Sequence, residues 1–356
     1  MATNLPPDAA GERIVPASVA SESQGRLIAR RFLNNKLAVL SGALVIIIVA
    51  FALAAIGIGP IPGWWKYGYQ GLNDQVNQGA PTLSLLPTWL GGSGIQLGEH
   101  PFGQNRIGKD YFAMTMRGIL NSALVMVVLG GIASIVGVII GAIAGYYRGT
   151  VDAVLMRLTD VFIVIPALVI GSVVGHFAGG LGALLLAIML GFFSWMGIAR
   201  LVRGEFLSLR ERPFVEAARV AGASDRRIIF THILPNAMGV VIVSSTLIMA
   251  SAILLETALS YLGYGIRPPD VSLGLLISSN QTAFQTRPWL FWWPGAFIVS
   301  LALLVNFVGD GLRDAFDPRH RRFKLRAMQE MFPEPDGPDE PDESAEPSDP
   351  AGAVIR

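Results

Sequence analysis

From Leu37 to Ile58 the chain runs for 22 residues without a charged side chain. At about 1.5 Å per residue, a helix of that length crosses a hydrocarbon core of roughly 30 Å. Comparable apolar runs follow at about 119–146, 151–177, 180–199, 237–261 and 289–308. In lipid the backbone must satisfy its own hydrogen bonds, so these runs are predicted to be helices. Composition agrees, with 52% apolar and 15% charged residues and a mean hydropathy of +0.51, against roughly 25% charge in an ordinary soluble domain. The predicted fold class is an all-α polytopic membrane protein with six transmembrane helices. A cleaved signal peptide is the poorer reading of the first run, because the preceding segment is too long and the run exceeds the usual apolar length. There are no cysteines, which excludes disulfides, thiolate metal sites and cysteine nucleophiles. The net charge of +1 gives no reason to expect nucleic acid as a partner.

Residues 1–24, rich in Ala, Ser and Pro, read as a disordered leader. Residues 25–36 place Leu27, Ile28, Phe32 and Leu33 near one helical face, ringed by Arg26, Arg30, Arg31 and Lys36. This fits an amphipathic helix on the bilayer surface or a basic flank of the first span, 37–58. Residues 59–117 form a polar loop with Trp64, Trp65, Tyr67 and Tyr69 near the span, too long for a simple connector and expected to fold against something. Residues 118–314 hold five further spans, with a loop at 203–236. The tail, 315–356, is acidic and expected to be disordered from about 330. Up to Arg326, Lys and Arg divide unevenly under this topology, 20 on the side of the termini and the 203–236 loop and six on the other. The positive-inside bias then places both termini and that loop in the cytoplasm.

Four ionisable groups fall within or beside the apolar runs: Asp152, Arg157, Asp160 and Glu256. A charge at mid-bilayer costs about 2.5–3.5 kcal/mol on insertion scales. These groups are therefore expected near the interface or paired inside the bundle, with a proton relay as the less favoured alternative. Ala133, Gly137, Gly141 and Gly145 recur every four residues and predict a close helix contact. Residues 103–110, GQNRIGKD, approach a phosphate-binding loop, but Asp110 stands where Ser or Thr would hold magnesium, and no strand precedes it. The chain is therefore expected to have no ATPase site and not to be an enzyme. The four histidines lack metal-ligand spacing, and no metal site is expected.

The remaining feature is the charged stretch Glu216 to Asn236, EAARVAGASDRRIIFTHILPN, set between two apolar runs. It reads as a helix, a bend at Gly222, a second helix capped by Asp225, and an end at Pro235-Asn236 where the next span begins. On composition alone, a docking surface and a solvated basic loop weigh equally.

The motif tips that balance. Glu216-Ala217-Ala218, Gly222 and Ile233-Leu234-Pro235 resemble the "EAA" loop of ABC importer permeases. His100-Pro101-Phe102-Gly103 with Gly108-Lys109-Asp110, Gly145-Tyr146-Tyr147 with Asp152, Met156-Arg157 and Asp160, Leu259 to Gly263 with Pro268-Pro269, and Asn306 with Gly309 to Asp314 resemble the peptide/nickel family of those permeases. The likeness is greatest to the dipeptide and oligopeptide "C" subunits and extends from about Arg26 to Arg322. Lys109, Tyr261, Tyr264 and Leu273 are mild departures. The resemblance implies an importer-type permease with a cytoplasmic coupling helix. Its partners would be a second homologous permease in a heterodimer, two cytoplasmic ATPase subunits, an extracytoplasmic peptide-binding protein and the lipid bilayer. The chain itself would bind no cofactor, ATP and Mg belonging to the ATPase partners. Glu216, Ala217, Ala218, Gly222, Ala223, Asp225, Arg226, Arg227 and Pro235 would form the ATPase-coupling surface. The expected cargo is di- or oligopeptides. Nickel-chelate import, or a proton-coupled carrier using Asp152, Asp160 or Glu256, are the alternatives.

Overall fold

A computed structural model describes residues 24–84, 94 and 96–316. The expected leader up to residue 23 and the acidic tail lie outside the described residues, and Gln24, assigned to the leader, opens the first helix. Within them the chain forms α-helices joined by loops, with one short hairpin of β1 (Gly57–Ile58) and β2 (Ile61–Pro62).

Helix α1 (Gln24–Asn34) gives way to α2 (Lys36–Ile56) at Asn35. The Asn35 side chain accepts a hydrogen bond from the Ala38 amide at 3.2 Å, satisfying one of the donors that a helix start leaves unpaired. Gly57 ends α2 at φ +86°, a conformation open to glycine without steric cost.

The next helix, α3 (Tyr111–Tyr147), begins eight residues before the apolar run that predicted it. Asp110 explains the early start, because its Oδ1 accepts from the Ala113 amide at 2.7 Å and caps the helix. The polar residues of that first stretch hid it from hydropathy, so residues 111–117, expected in the loop, are helical.

The third and fourth runs are not straight helices. α4 (Gly149–Val164) and α5 (Ala167–Ala178) meet at 83°. Pro166 lacks an amide hydrogen and forces Ile165 into an extended backbone, which breaks the helix there. α6 (Ala183–Phe192) and α7 (Met196–Arg210) meet at 45°. α7 continues as helix through Arg200, Arg203 and Arg210, so the expected coupling loop begins inside a helix.

Beyond α7 come α8 (Pro213–Val220), α9 (Asp225–Arg227), a π-helical segment (Ile228–Ile233) and α10 (Leu234–Tyr261). The sequence placed a helix end at Pro235-Asn236, whereas the helix runs on from Asp225 to Tyr261. Proline is harmless there because it occupies the first turn of α10, and the wider π turn absorbs the mismatch before it. α11 (Leu273–Asn280) and α12 (Trp289–Phe316) are the last helices among the described residues, α12 extending through the basic Arg313 into the segment assigned to the tail.

By length and composition, 36–56, 111–147, 225–261 and 289–316 can each cross a membrane, and the count reaches six if each bent pair is one span. α3 is the axis of the bundle. Ideal Cβ atoms at Gly137, Gly141 and Gly145 would lie 2.8, 2.8 and 2.6 Å from the Cβ atoms of Ile198, Val202 and Phe206 on α7. The two four-residue periods run in step, so the small-residue stripe brings two backbones into contact. At the opposite end, the described residues between α2 and α3 fold back onto the start of α3. Asp110 gathers His100 Nδ1 at 2.6 Å and Trp65 Nε1 at 3.1 Å, and Tyr67 stacks on His100. Phe102 stacks on Trp293 of α12.

Candidate functional site

Residues 213–236 form an elbow with a buried base and a bare outer face. Val215, Ile228, Ile229 and Ile233 point inward and pack with Ile198, Val202 and Phe206 of α7. Glu216, Ala217, Gly222, Asp225, Arg226, Arg227 and Pro235 are exposed, while Ala218 and Ala223 are half-buried. Val220 is 85% exposed, an uncovered apolar side chain at the apex. Gly222 turns the chain at φ +80°, and a side chain added there would meet open space. Nothing among the described residues therefore demands a small residue in that space; the positive φ alone favours glycine. Ser224, Arg226, Arg227, Phe230 and Thr231 line an open depression of about 380 Å³ beside the bend.

The elbow is tied to the bundle at named points. The Tyr146 hydroxyl donates to Asp225 Oδ1 at 2.6 Å. Asp225 was expected to cap α9, but Ser224 holds the cap position and the Asp225 side chain turns back to Tyr146 instead. Arg210 donates to the Tyr146 carbonyl, and Arg148 pairs with Glu211 at 2.6 Å. The α3–α4 turn is thus clasped to the α7–α8 turn.

The four ionisable candidates separate into three environments. Asp152 accepts Arg203 Nε at 2.5 Å and Nη2 at 2.6 Å, and Asp160 accepts from Arg200. The sequence placed both arginines with the loop charges, and the signal missed was the continuation of α7 through them. Arg157 is exposed on α4 and shares neither pair. Glu256 is fully buried near the far end of α10 in a cage of hydroxyls, with Ser260 Oγ donating at 2.6 Å and Ser122 Oγ at 3.4 Å. Ser272 lies against Ser260 at 3.4 Å and caps α11. The structure does not bring Asp152, Asp160 and Glu256 together into one path. The phosphate-loop look-alike is accounted for by Asp110, whose carboxylate is committed to the helix cap, His100 and Trp65.

Residues 137–322, which include this elbow and both ion pairs, match the family model described as the binding-protein-dependent transport system inner membrane component. The chain belongs to that family. Residues 23–81 also match the N-terminal transmembrane domain of oligopeptide transport permease C. An oligopeptide transport system permease protein of Mycobacterium tuberculosis is 36% identical over 303 residues, covering 85% of this chain and 97% of the relative. The proteins of the same name from Haemophilus influenzae and Bacillus subtilis are 34% and 33% identical, over 87% and 82% of this chain and 93% and 88% of theirs. Among solved structures, an inward-facing methionine ABC transporter, MetNI, aligns with a TM-score of 0.46 at 20% identity, covering 58% of this chain and 97% of that one. The permease is a multi-pass component of the inner membrane and a transport subunit of the ABC importer class.

Proposed function

We propose that this permease is one half of a heterodimeric pore that imports di- or oligopeptides, driven by ATP hydrolysed on partner subunits. The observation that carries the proposal is the elbow: a polar outer face with an exposed apolar apex at Val220, on a buried base, clasped to the helices. Such a surface suits a lever that something outside the bilayer grips. Relatives named as oligopeptide permeases, 33–36% identical over most of the chain, supply the cargo class.

In this reading the bent pairs each count as one span, giving six, with both termini and the elbow in the cytoplasm. Two ATPase subunits, carrying ATP and Mg, close on nucleotide and displace the elbows of the two permeases. Glu216, Ala217, Ala218, Gly222 and Ala223 form the gripped face, Arg226 and Arg227 offer charge to ATPase carboxylates, and Pro235 marks entry into α10. A loaded peptide-binding protein acts on the opposite face, so two ligands bias one two-state element and access alternates. The domain limits drawn from the sequence then describe a surface helix at 25–36, an extracytoplasmic loop after 58, and a cytoplasmic tail.

Replacing Gly222 with Trp tests the docking. The variant is expected to reach the membrane in normal amount and to lose both ATPase co-purification and peptide uptake. Uptake equal to the parent chain would overturn the docking role.

A further inference from the structure

The contact between α4 and α7 is held in an unusual way. Thr159 is the only buried residue of α4 among those described. Val154, Leu158, Val161 and Val164 are exposed, Val164 at 79%. Apolar packing therefore fixes α4 weakly. Apart from Phe162, which packs against Trp195, Met196 and Ala199 at the start of α7, what joins it to α7 is charge: the bidentate Arg203–Asp152 fork at 2.5 and 2.6 Å, and the Arg200–Asp160 pair further along. The order reverses along the two helices, as antiparallel neighbours require. Two pairs fix a line, so α4 cannot slide or rotate on α7 without breaking one of them.

The ends of this ladder lie at informative places. Asp160 is seven residues before Ala167, where α5 starts beyond the 83° bend. Arg203 is seven residues before Arg210, which with Glu211 clasps the α3–α4 turn. α7 then passes through Arg212 directly into α8.

We propose that Asp152, Asp160, Arg200 and Arg203 are positioning residues for import: the two ion pairs make the broken span α4–α5 follow α7, and so carry displacement of the elbow to the bend at Pro166. The inference rests on the docking reading and adds the route by which the motion enters the membrane. Arg157 and Glu256 have no part in it.

The test uses the complete importer, with its second permease, ATPases and binding protein, in proteoliposomes. The quantity read is peptide taken up per ATP hydrolysed. Asp152→Arg and Arg203→Asp alone are each expected to lower that ratio at least about fivefold, the small end of ordinary coupling between sites. The double variant D152R/R203D restores the pair with its sense reversed and is expected to return to within about twofold of the parent. Single reversals that leave the ratio unchanged overturn the proposal. So does a double variant that assembles fully yet transports as poorly as the singles. Should a reversal fail to insert, Asp152→Asn keeps the side-chain size and removes the charge: a ratio lowered about fivefold supports the ladder, and an unchanged ratio sinks it. Gly222→Trp separates the two levels. If it transports normally, the docking reading fails; if it does not, and the charge swap still gives no rescue, only the ladder fails.

Discussion

Asp110 shows how much one side chain can organise. Its two oxygens cap α3, hold Trp65 and pair with His100, so three segments distant in sequence meet at one carboxylate. Asp110→Ala is expected to destabilise the protein by about 0.5–2 kcal/mol from the cap alone, read as a lower Tm in detergent. Asp110→Asn should lose less, since Asn caps nearly as well. Tyr146 plays the matching role at the other end. Tyr146→Phe removes the hydroxyl that holds Asp225, a loss of about 1 kcal/mol. The elbow then opens more often, and trypsin cleavage after Arg226 or Arg227 should quicken about fivefold. Neither partnership is visible in the sequence. Capping was foreseeable at Asp110, but the line from Tyr146 to Asp225 spans 79 residues and has no local signature.

At the scale of elements, periodicity was the reliable guide and breaks were not. The Ala133–Gly145 stripe predicted a close contact, and α7 fills it with Ile198, Val202 and Phe206 in the same period. Gly141→Leu would drive a branched side chain toward Val202 and is expected to cost about 1–3 kcal/mol, measured as loss of Tm and of folded yield. The apolar runs located the helices but misjudged their ends, because polar residues within a capped or packed helix lower its hydropathy without ending it. Arg117 did so on α3, and Arg200 and Arg203 on α7. Pro166 was visible, yet a proline in a span can mean a kink or a full break, and the neighbouring α6–α7 bend of 45° carries no proline at all. The elbow itself was legible as helix, glycine bend and helix. Its exposure was not, since that depends on which residues α7 covers.

For the whole molecule, the absence of cysteine in the sequence makes single introduced thiols clean reporters. Val220→Cys is expected to react with a membrane-impermeant maleimide only from the cytoplasmic face, and Ile107→Cys only from outside. Labelling of both from one side would end the proposed orientation. The ladder between α4 and α7 also has a consequence for how the chain is made. Synthesis begins at the N-terminus, so Asp152 leaves the ribosome 51 residues ahead of Arg203, and Asp160 leads Arg200 by 40. At roughly 5–20 residues per second, α4 waits on the order of seconds for its counter-charges. Asp152 stands in the first turn of α4, but Asp160 lies eleven residues along it, and during that interval its uncompensated carboxylate opposes insertion by up to about 2.5–3.5 kcal/mol. The nascent chain is therefore expected to hold α4 loosely at the insertion machinery until α7 emerges, and a ribosome stalled before residue 200 should leave α4 extractable by alkali where one stalled well after α7 does not.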